Sequence, residues 1–406
     1  MNLCLINLDL GSFRSSGLAV YGEALATGLA ARGHRVVAIA SRRRGPGLSG
    51  REGLAAHEMV GNHQEIEVYR VPIGPSNWIG FAGRAGRLAM RLRQEHSFDL
   101  VHFLDAHCAW AFQGCYVASL FQSFRQRATS DGSLPYHSSA ANLVGRLVYY
   151  HLARLGPERR SVRRATALIA SSQATADEFI AHYGVPAQQV TVVPLGIDTG
   201  FFRPIPHSRT STRQRLGLAP DEPVVLYVGF STPRKGLETL AHALPLLGGR
   251  PKILITGKWE AGYRRKVMEA LGPHRDQVLE LDYVPDADLP CLYAAADLFV
   301  FPSLLEGFGL PPVEAMACGL PVVASAVGSL PEVVSDAGLL VPPRDPVALA
   351  GAIQSLLDDG ALRHDLGQRG RLRAVAQFDR ALMVSGTLDV YERVLAPERK
   401  YDPQKA

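Results

Sequence analysis

Short apolar runs alternate along the chain with segments in which apolar residues recur every three or four positions. In the first half this pattern predicts a helix over Gly17–Arg32. It also predicts four strands: Leu3–Leu8, Arg35–Ala40, Ile66–Val71 and Leu100–Leu104. Because these strands are apolar along most of their length, they indicate a parallel sheet whose two faces are both covered by helices.

The same rhythm restarts in the second half. A helix begins near Leu237, and five strands are predicted: Val224–Val228, Lys252–Thr256, Val278–Leu281, Leu298–Phe301 and Val322–Ala324. Residues 192–206 are rich in Pro and Gly and lack periodicity, which predicts a linker. We therefore predict two doubly wound domains, residues 1–200 and 201–379, and a last helix within residues 380–406 that packs back on the first domain.

Composition limits the class of protein. The 406 residues suffice for two domains, and 47% hydrophobic with 20% charged residues is typical of a soluble globular chain. No apolar run is long enough to span a membrane, and the first residues lack the features of a secretory signal. The five cysteines include no C-x-x-C pair, so no disulfide framework or cysteine-rich metal site is predicted. Together these features predict a cytoplasmic protein.

Charge is unevenly distributed between the two halves. Residues 1–200 contain 20 Arg and no Lys against 14 acidic residues, whereas the remainder is close to neutral. An Arg-rich half favours an anionic acceptor or peripheral contact with the anionic inner membrane face, and a simple bias of composition is the alternative. Arg84, Arg87 and Arg91 share one face of a predicted helix, which fits membrane contact or an ordinary solvated surface. No nucleic-acid partner is predicted.

The strongest chemical signal is a strand, loop and helix at residues 301–323. Gly307 and Gly309 let the backbone approach a ligand, and Pro311 begins the helix without wasting a hydrogen bond. Free amides and the helix dipole make such a turn a site for a diphosphate. Glu306 and Glu314 supply charged acceptors for the hydroxyl groups of a sugar and a ribose.

A second signal is the turn after the first strand of the second half. Arg234 and Lys235 are adjacent there, and together they can hold both phosphates of a departing nucleoside diphosphate without a metal. In the first half, Gly17 is a weaker candidate for backbone contact with the donor phosphate. The D-x-D sequence at residues 286–288 precedes a helix, where acidic residues cap the helix and complement its dipole, so no metal site is predicted.

The segment E-G-F-G-L-P-x-x-E, from Glu306 to Glu314, resembles the E-x7-E signature of the family 4 retaining glycosyltransferases. The surrounding residues are also similar: Gly229 to Gly236, Val284-Pro285, Ala317 to Val323, and the linker Val193 to Asp198. The resemblance is strong over residues 190–345 and moderate over the first 40 residues. It implies the GT-B fold, in which two Rossmann-like domains face a central cleft and the second binds the donor.

The resemblance also implies roles for individual residues. Glu314 would hold the ribose hydroxyls, and Glu306 would meet the hydroxyls of the transferred sugar. The other donor contacts would come from backbone and cationic groups: the amides of Phe308, Gly309 and Leu310 at sugar or phosphate, the backbone of Val284 at the base, and Arg234 and Lys235 at the diphosphate. The nucleotide sugar is a substrate, and neither a cofactor nor a metal is implied.

Two positions depart from the family pattern. Phe230 stands where the family often has an arginine, and Phe121 falls where it often has an acceptor-domain histidine. His102, Asp105 and His107 follow the fourth strand and are alternative candidates for contact with the acceptor. A purely structural role fits each of these three residues as well.

The resemblance therefore implies a retaining transferase of a hexose-type sugar. The donor expected from the family is a UDP-sugar, with GDP-mannose next, and the expected acceptor is a sugar, a lipid-linked sugar or a small molecule. Two alternatives stay open. One is a sugar-nucleotide 2-epimerase of the same fold, which needs no acceptor. The other is a nucleotide-sugar-binding subunit with weak catalysis. The oligomeric state is not predicted.

Overall fold

A computed structural model describes residues 1–10, 16–42, 55–59, 65–72, 78–132, 140–249, 251–281 and 284–396. Fourteen strands lie within these ranges: β1 Asn2–Asn7, β2 Arg35–Arg42, β3 Ala55–Met59, β4 Glu65–Pro72, β5 Leu100–Phe103, β6 Val117–Leu120, β7 Ala167–Ala170, β8 Val190–Val192, β9 Val224–Val228, β10 Lys252–Thr256, β11 Val278–Leu281, β12 Leu298–Phe301, β13 Val322–Ser325 and β14 Leu339–Val341.

The same ranges contain fifteen α-helices: α1 Gly17–Ala30, α2 Trp78–His96, α3 Phe124–Gly132, α4 Ala140–Ala153, α5 Arg159–Arg164, α6 Gln173–Tyr183, α7 Ser208–Arg215, α8 Leu237–Ala243, α9 Tyr263–Leu271, α10 Leu289–Ala295, α11 Leu310–Ala317, α12 Leu330–Val334, α13 Pro346–Asp358, α14 Gly360–Gln377 and α15 Arg380–Leu395. A π-helix, Arg154–Glu158, connects α4 directly to α5. None of the helices described is long and apolar enough to cross a membrane.

The chain divides into two compact units. The first comprises residues 1–125, 149–196 and 380–406, and the second comprises residues 126–148 and 197–379. The main crossings between the units thus fall just before Ile197 and just after Asp379.

The first unit contains a sheet of eight strands in the order β3-β4-β2-β1-β5-β6-β7-β8. Every neighbouring pair is parallel except β3 and β4, which are antiparallel at one edge. The register places Leu3 opposite both Val36 on β2 and Leu100 on β5. The order reverses direction between β1 and β5, so the loops after these two strands lie at the switch point of the sheet.

The second unit contains a six-stranded parallel sheet in the order β11-β10-β9-β12-β13-β14. This is the 3-2-1-4-5-6 order of a dinucleotide-binding fold, with its switch point between β9 and β12. All residues of β9, β12 and β13 are buried. Strands buried on both faces need helices on both sides, which explains their continuous apolar sequence.

The last helix, α15, belongs to the first unit. Val384 and Tyr391 on α15 are buried, and the Arg32 guanidinium at the end of α1 donates a hydrogen bond of 2.9 Å to the carbonyl of Ala381. The last segment of the chain, residues 380–406, therefore belongs to the first unit although it follows the second unit in sequence.

The predicted strands are confirmed, four of the five in the second unit to the residue and β13 with one residue more. Five strands of the sheets were not among those predicted: β3, β6, β7, β8 and β14. Among them, β8 and β14 have only three residues each, too few to show a period of two. The strand β3 is polar in part and pairs only at the sheet edge, where packing constrains sequence least.

Candidate active site

Two loops meet at the switch point of the second unit. One follows β9 and begins at Gly229, and the other follows β12 and begins at Pro302. Since β9 and β12 are neighbouring parallel strands, their carboxyl ends lie side by side at one edge of the sheet. In open parallel sheets this edge is where ligands bind.

Backbone contacts fix the two loops against each other. The amide of Leu304 donates a hydrogen bond of 2.7 Å to the carbonyl of Arg234. Gly236 has a φ of 66°, and a Cβ atom at this position would lie 2.1 Å from the carbonyl oxygen of Pro302. Only glycine fits both the left-handed conformation and this close approach. The glycine thus sets how near the β9 loop comes to the β12 loop.

This approach joins two predicted catalytic residues. The ammonium of Lys235 lies 2.5 Å from Oε2 of Glu306 and 4.8 Å from the centre of the Phe301 ring. The hydroxyl of Ser303 is 3.4 Å from the same carboxylate oxygen. Both charged groups are partly buried, so solvent screens their attraction less than it would at the surface. The structure therefore places a cation and an anion in contact at the edge of the sheet.

The helix α11 begins beside this pair with an open N-terminus. Its N-cap, Gly309, has a φ of 99° and provides no side-chain hydrogen bond. The carbonyl of Phe308 accepts a hydrogen bond of 2.9 Å from the hydroxyl of Ser329, which holds the loop in place. With no side chain capping it, and with Pro311 and Pro312 lacking an N–H, this end of α11 offers the amide of Leu310 and its positive dipole end to an anion.

Glu314 lies within α11 and is 6% exposed. The hydroxyl of Tyr293 on α10 donates a hydrogen bond of 2.9 Å to its Oε2. Burial, followed by the charge of Glu314, raises the pKa of Tyr293 well above its ordinary value. Tyr293 therefore stays protonated and acts as a fixed donor that orients the Glu314 carboxylate.

The remaining donor-site candidates have less distinctive surroundings. Gly307 and Leu310 lie in the same loop and helix start as Phe308, and Val284 is half-buried ahead of α10. Gly17 is the exposed first residue of α1 in the first unit, where Ser16 caps the helix through a contact of 3.2 Å to the amide of Ala19. The roles of these residues remain predictions.

The two departures from the family pattern differ in their surroundings. Phe230 is 51% exposed in the loop after β9. Because this residue is a phenylalanine, the position provides no positive charge. Phe121 follows β6 and packs edge-to-face on Tyr21, with 5.5 Å between ring centres. The cations on the β9 loop are instead Arg234 and Lys235, four and five residues further along the predicted phosphate-binding turn.

His102 is buried in the core of the first unit, with 1% exposure. Its Nδ1 lies 2.7 Å from the hydroxyl of Tyr391, and its Nε2 lies 2.9 Å from the hydroxyl of Ser119. Burial lowers the pKa of His102 to about 3, so the ring is neutral at pH 7. Both ring nitrogens thus have protein partners, and contact with an acceptor would require one of these bonds to break.

His107 is buried between two carboxylates. Its Nδ1 lies 2.6 Å from Asp105, and its Nε2 lies 2.8 Å from Glu158. Burial opposes a charge on this ring, but the two carboxylates outweigh it and raise the pKa of His107 to about 9. Asp105, directly after β5 at the switch point, is the more exposed member of the set. The structure therefore brings Asp105 and His107 together and leaves His102 in a separate network.

The sequence interpretation missed several residues that support these groups. Tyr293 orients Glu314, and Glu158 accepts hydrogen bonds from the Phe124 amide and from the Tyr183 hydroxyl. Glu158 carried a signal, because it is the single acidic residue in a run of five arginines from residue 154 to 164. An isolated acid in such a run is a candidate for a buried partner.

Comparison with known proteins identifies the family. The model for glycosyltransferase family 4 matches residues 15–201, and the model for glycosyl transferases group 1 matches residues 208–373. A D-inositol 3-phosphate glycosyltransferase of Kineococcus radiotolerans is 31% identical over 97% of this chain and 95% of its own. The chain belongs to glycosyltransferase family 4. It is an enzyme that transfers a sugar from a nucleotide donor.

Solved structures share the fold of this chain. Sucrose-phosphate synthase from Thermosynechococcus elongatus aligns with a TM-score of 0.79 and 26% identity, over 97% of this chain and 98% of that one. HepE of Anabaena, solved with UDP and glucose, aligns with a TM-score of 0.70 and 23% identity, over 97% and 100% of the two chains. The predicted GT-B fold of this family 4 enzyme is confirmed.

Proposed function

We propose that this enzyme transfers a hexose-type sugar with retention of anomeric configuration and without a metal. The proposed donor is a UDP-sugar, with GDP-mannose next. The observation that carries the proposal is the contact between Lys235 and Glu306, 2.5 Å long, beside the uncapped start of α11. A cation, a carboxylate and a helix N-terminus are the groups needed by the phosphates and hydroxyls of a nucleotide sugar.

The diphosphate is held by groups from both loops. Lys235 and Arg234 lie on the β9 loop, and the amide of Leu310 at the start of α11 lies on the β12 side. The Thr232 hydroxyl is buried in the same turn and has no hydrogen-bond partner within the described ranges, so it is a further candidate donor to phosphate. Preorganised donors stabilise the charge that builds up on the leaving diphosphate.

The ribose and the transferred sugar are held by the two glutamates. Glu314, fixed by Tyr293, accepts hydrogen bonds from the ribose hydroxyls, and Glu306 accepts them from the sugar. When the donor binds, its phosphate competes with Glu306 for Lys235. The cation then links the leaving diphosphate to the carboxylate that holds the sugar, so both substrate groups are positioned by one ion pair.

The reaction needs no catalytic base from the protein. The acceptor hydroxyl attacks the anomeric carbon from the face of the leaving group, the bond from this carbon to the diphosphate oxygen breaks, and the acceptor proton passes to the diphosphate. The proton thus passes from one substrate to the other, and no protein side chain has to accept it. HepE was solved with UDP and glucose, which supports testing UDP-sugars first.

The proposed acceptor is a sugar, a lipid-linked sugar or a small molecule, met by the first unit. The relative from Kineococcus radiotolerans is named for inositol 3-phosphate, an anionic small molecule, and the Arg-rich first half of this chain suits an anionic acceptor. Asp105 is the acceptor-side candidate at the switch point, with His107 behind it. We also propose a cytoplasmic enzyme with peripheral contact to an anionic membrane.

Release of nucleoside diphosphate tests the proposal. UDP-, GDP- and ADP-sugars are incubated in EDTA with a panel of sugars, lipid-linked sugars and phosphorylated polyols. We expect one donor to release its nucleoside diphosphate only with an acceptor, and Glu306→Gln to abolish most of this release. Conversion of the donor to an epimer without an acceptor would instead identify a 2-epimerase. No release above the Glu306→Gln background would favour a binding subunit.

A further inference from the structure

The helical run from residue 140 to residue 164, formed by α4, the π-helix and α5, carries an apolar stripe exposed to solvent. Val144, Val148, Leu152 and Leu155 are 59%, 52%, 67% and 57% exposed. Their spacing of four, four and three residues places them on one face of the helix. Single exposed apolar residues are ordinary, but a contiguous stripe of four large aliphatic side chains marks an interaction surface.

The exposed charges of the same run are all positive. Residues 140–164 contain six arginines: Arg146, Arg154, Arg159, Arg160, Arg163 and Arg164. The only acidic residue is Glu158, which is fully buried and bonded to His107. Arg159 and Arg163 continue the apolar stripe at helical spacing and are exposed. The run therefore has an exposed apolar stripe over residues 144–155 and a strongly basic segment over residues 159–164.

The basic helix singled out from the sequence lacks this combination. In α2, Arg87 and Arg91 are exposed, but Arg84 donates a hydrogen bond of 3.0 Å to the carbonyl of Pro72. Met90 is the one large apolar residue exposed among the side chains described on α2. An anionic membrane attracts Arg through lipid phosphates, and it holds a helix firmly only when apolar side chains also enter the acyl region.

We propose that the helical run of residues 140–164 docks on an anionic lipid bilayer. The four aliphatic side chains enter the boundary between headgroups and acyl chains, and the arginines bind lipid phosphates. The bilayer is chosen by charge complementarity, because an exposed apolar stripe continued by the exposed Arg159 and Arg163 matches a surface that is apolar beneath an anionic layer. This inference goes beyond the proposed sugar transfer and does not depend on it, since none of these residues belongs to the donor site.

Vesicle co-sedimentation of the full chain tests the surface. We expect the protein to sediment with vesicles of phosphatidylcholine and phosphatidylglycerol but much less with phosphatidylcholine alone. The double change Leu152→Asp and Leu155→Asp should weaken binding by at least about tenfold, because two aliphatic side chains no longer enter the bilayer. The control is Val347→Asp on α13, where the valine is 69% exposed, and it should bind like the wild type.

The basic part of the surface is tested separately. Arg159→Gln and Arg163→Gln should each weaken binding to the anionic vesicles about fivefold at low salt, with less effect at high salt. All variants should keep the melting curve of the wild type, because the changed side chains are exposed. Two outcomes would overturn the proposal: a wild type that ignores anionic vesicles, or a Leu152→Asp, Leu155→Asp protein that binds them normally. Self-association lost in the same double variant would assign the stripe to a second copy instead.

Discussion

In the proposed mechanism, Lys235 contributes both to donor binding and to catalysis. Its ammonium contacts Glu306 and lies over the ring of Phe301. Both contacts hold the cation at the edge of the sheet, so its position is set before a donor arrives. A preorganised cation of this kind stabilises charge that develops in the transition state more than charge already present in the substrate.

We therefore expect Lys235→Met to lower kcat by about 10²–10³-fold with a smaller change in KM. Steady-state kinetics with the preferred donor measures this. The control is Lys252→Met, because Lys252 begins β10 at the opposite edge of the same sheet and its ammonium donates a hydrogen bond to the carbonyl of Asp276. A Lys235→Met enzyme with normal kcat would show that the diphosphate is stabilised elsewhere.

The buried charge of His107 predicts a dependence of stability on pH. Its pKa is about 9 in the folded protein against an ordinary value of 6.5. A raised pKa contributes stability that is complete below pH 6.5 and is lost as the pH rises toward 9. We expect Glu158→Gln to lower the His107 titration midpoint and to flatten this dependence.

Imidazole NMR titration and chemical denaturation below pH 6.5 and above pH 9 measure these two effects. Glu95→Gln, at an exposed position on α2, should change neither quantity. A His107 that titrates near its ordinary value in the wild type would contradict the buried charge.

Sequence predicted individual residues where the chemistry lies within one loop. Glu306 and Lys235 were each selected from a loop that follows a predicted strand, but the contact between them, across 71 positions, was not predicted. The contact between Tyr293 and Glu314 was not predicted, because it depends on how α10 packs against α11. The surroundings of His102 were not predicted either, since its partner Tyr391 is 289 positions away.

At the scale of elements, the positions of the two loops after β9 and β12 depend on each other. Gly236 allows the carbonyl of Pro302 to approach and the amide of Leu304 to bond with Arg234. Any side chain at position 236 must push the loops apart, and the contact between Lys235 and Glu306 would lengthen with them. Geometry at the reacting centre is sensitive to shifts of about 1 Å.

Gly236→Ala should therefore abolish most of the turnover while the fold survives. The matched control is Gly217→Ala, because Gly217 also has positive φ, of 71°, but no atom lies within 4 Å of an added Cβ. We expect the control to lose about 1 kcal/mol of stability through backbone strain and to keep its activity. Equal activity in the two variants would show that the spacing of the loops is not critical.

Element prediction was accurate for β9 and β12, which are buried at every position, but it missed β6, which is buried as fully. β9 and β12 are apolar at every position, and their bounds were predicted to the residue. The edge strand β14 is half-buried and three residues long, so its sequence carries little pattern. Likewise, the π-helix before α5 contains Pro157 and depends on the buried contacts of Glu158 rather than on local propensity.

At the scale of the whole molecule, the chain returns to the first unit after completing the second. The return helix α15 supplies Tyr391, whose hydroxyl bonds to His102 on β5, and His102 in turn contacts Ser119 on β6. The hydroxyl of Ser119 lies 2.8 Å from that of Tyr21 on α1. This buried network ties four elements of the first unit through a helix that is last in sequence.

Tyr391→Phe should lower the free energy of unfolding of the first unit by about 1–3 kcal/mol, because His102 Nδ1 would be left buried without its partner. Differential scanning calorimetry measures this, with separate transitions expected for two domains. Leu382→Ala on the same helix is the control, since Leu382 is largely exposed and its loss should have little effect. An unchanged first transition would show that α15 adds no stability to the first unit.

We propose that the second unit contains a donor site that needs no metal and is built on Glu314, Glu306 and Lys235. Calorimetric measurement of UDP, GDP and ADP binding in the presence of EDTA tests whether this donor site exists. We predict that one nucleotide binds, and that Glu314→Gln weakens it about 10–100-fold while Glu269→Gln, on the exposed face of α9, does not. A folded protein that binds none of the three, or a Glu314→Gln variant that binds like the wild type, would contradict the account.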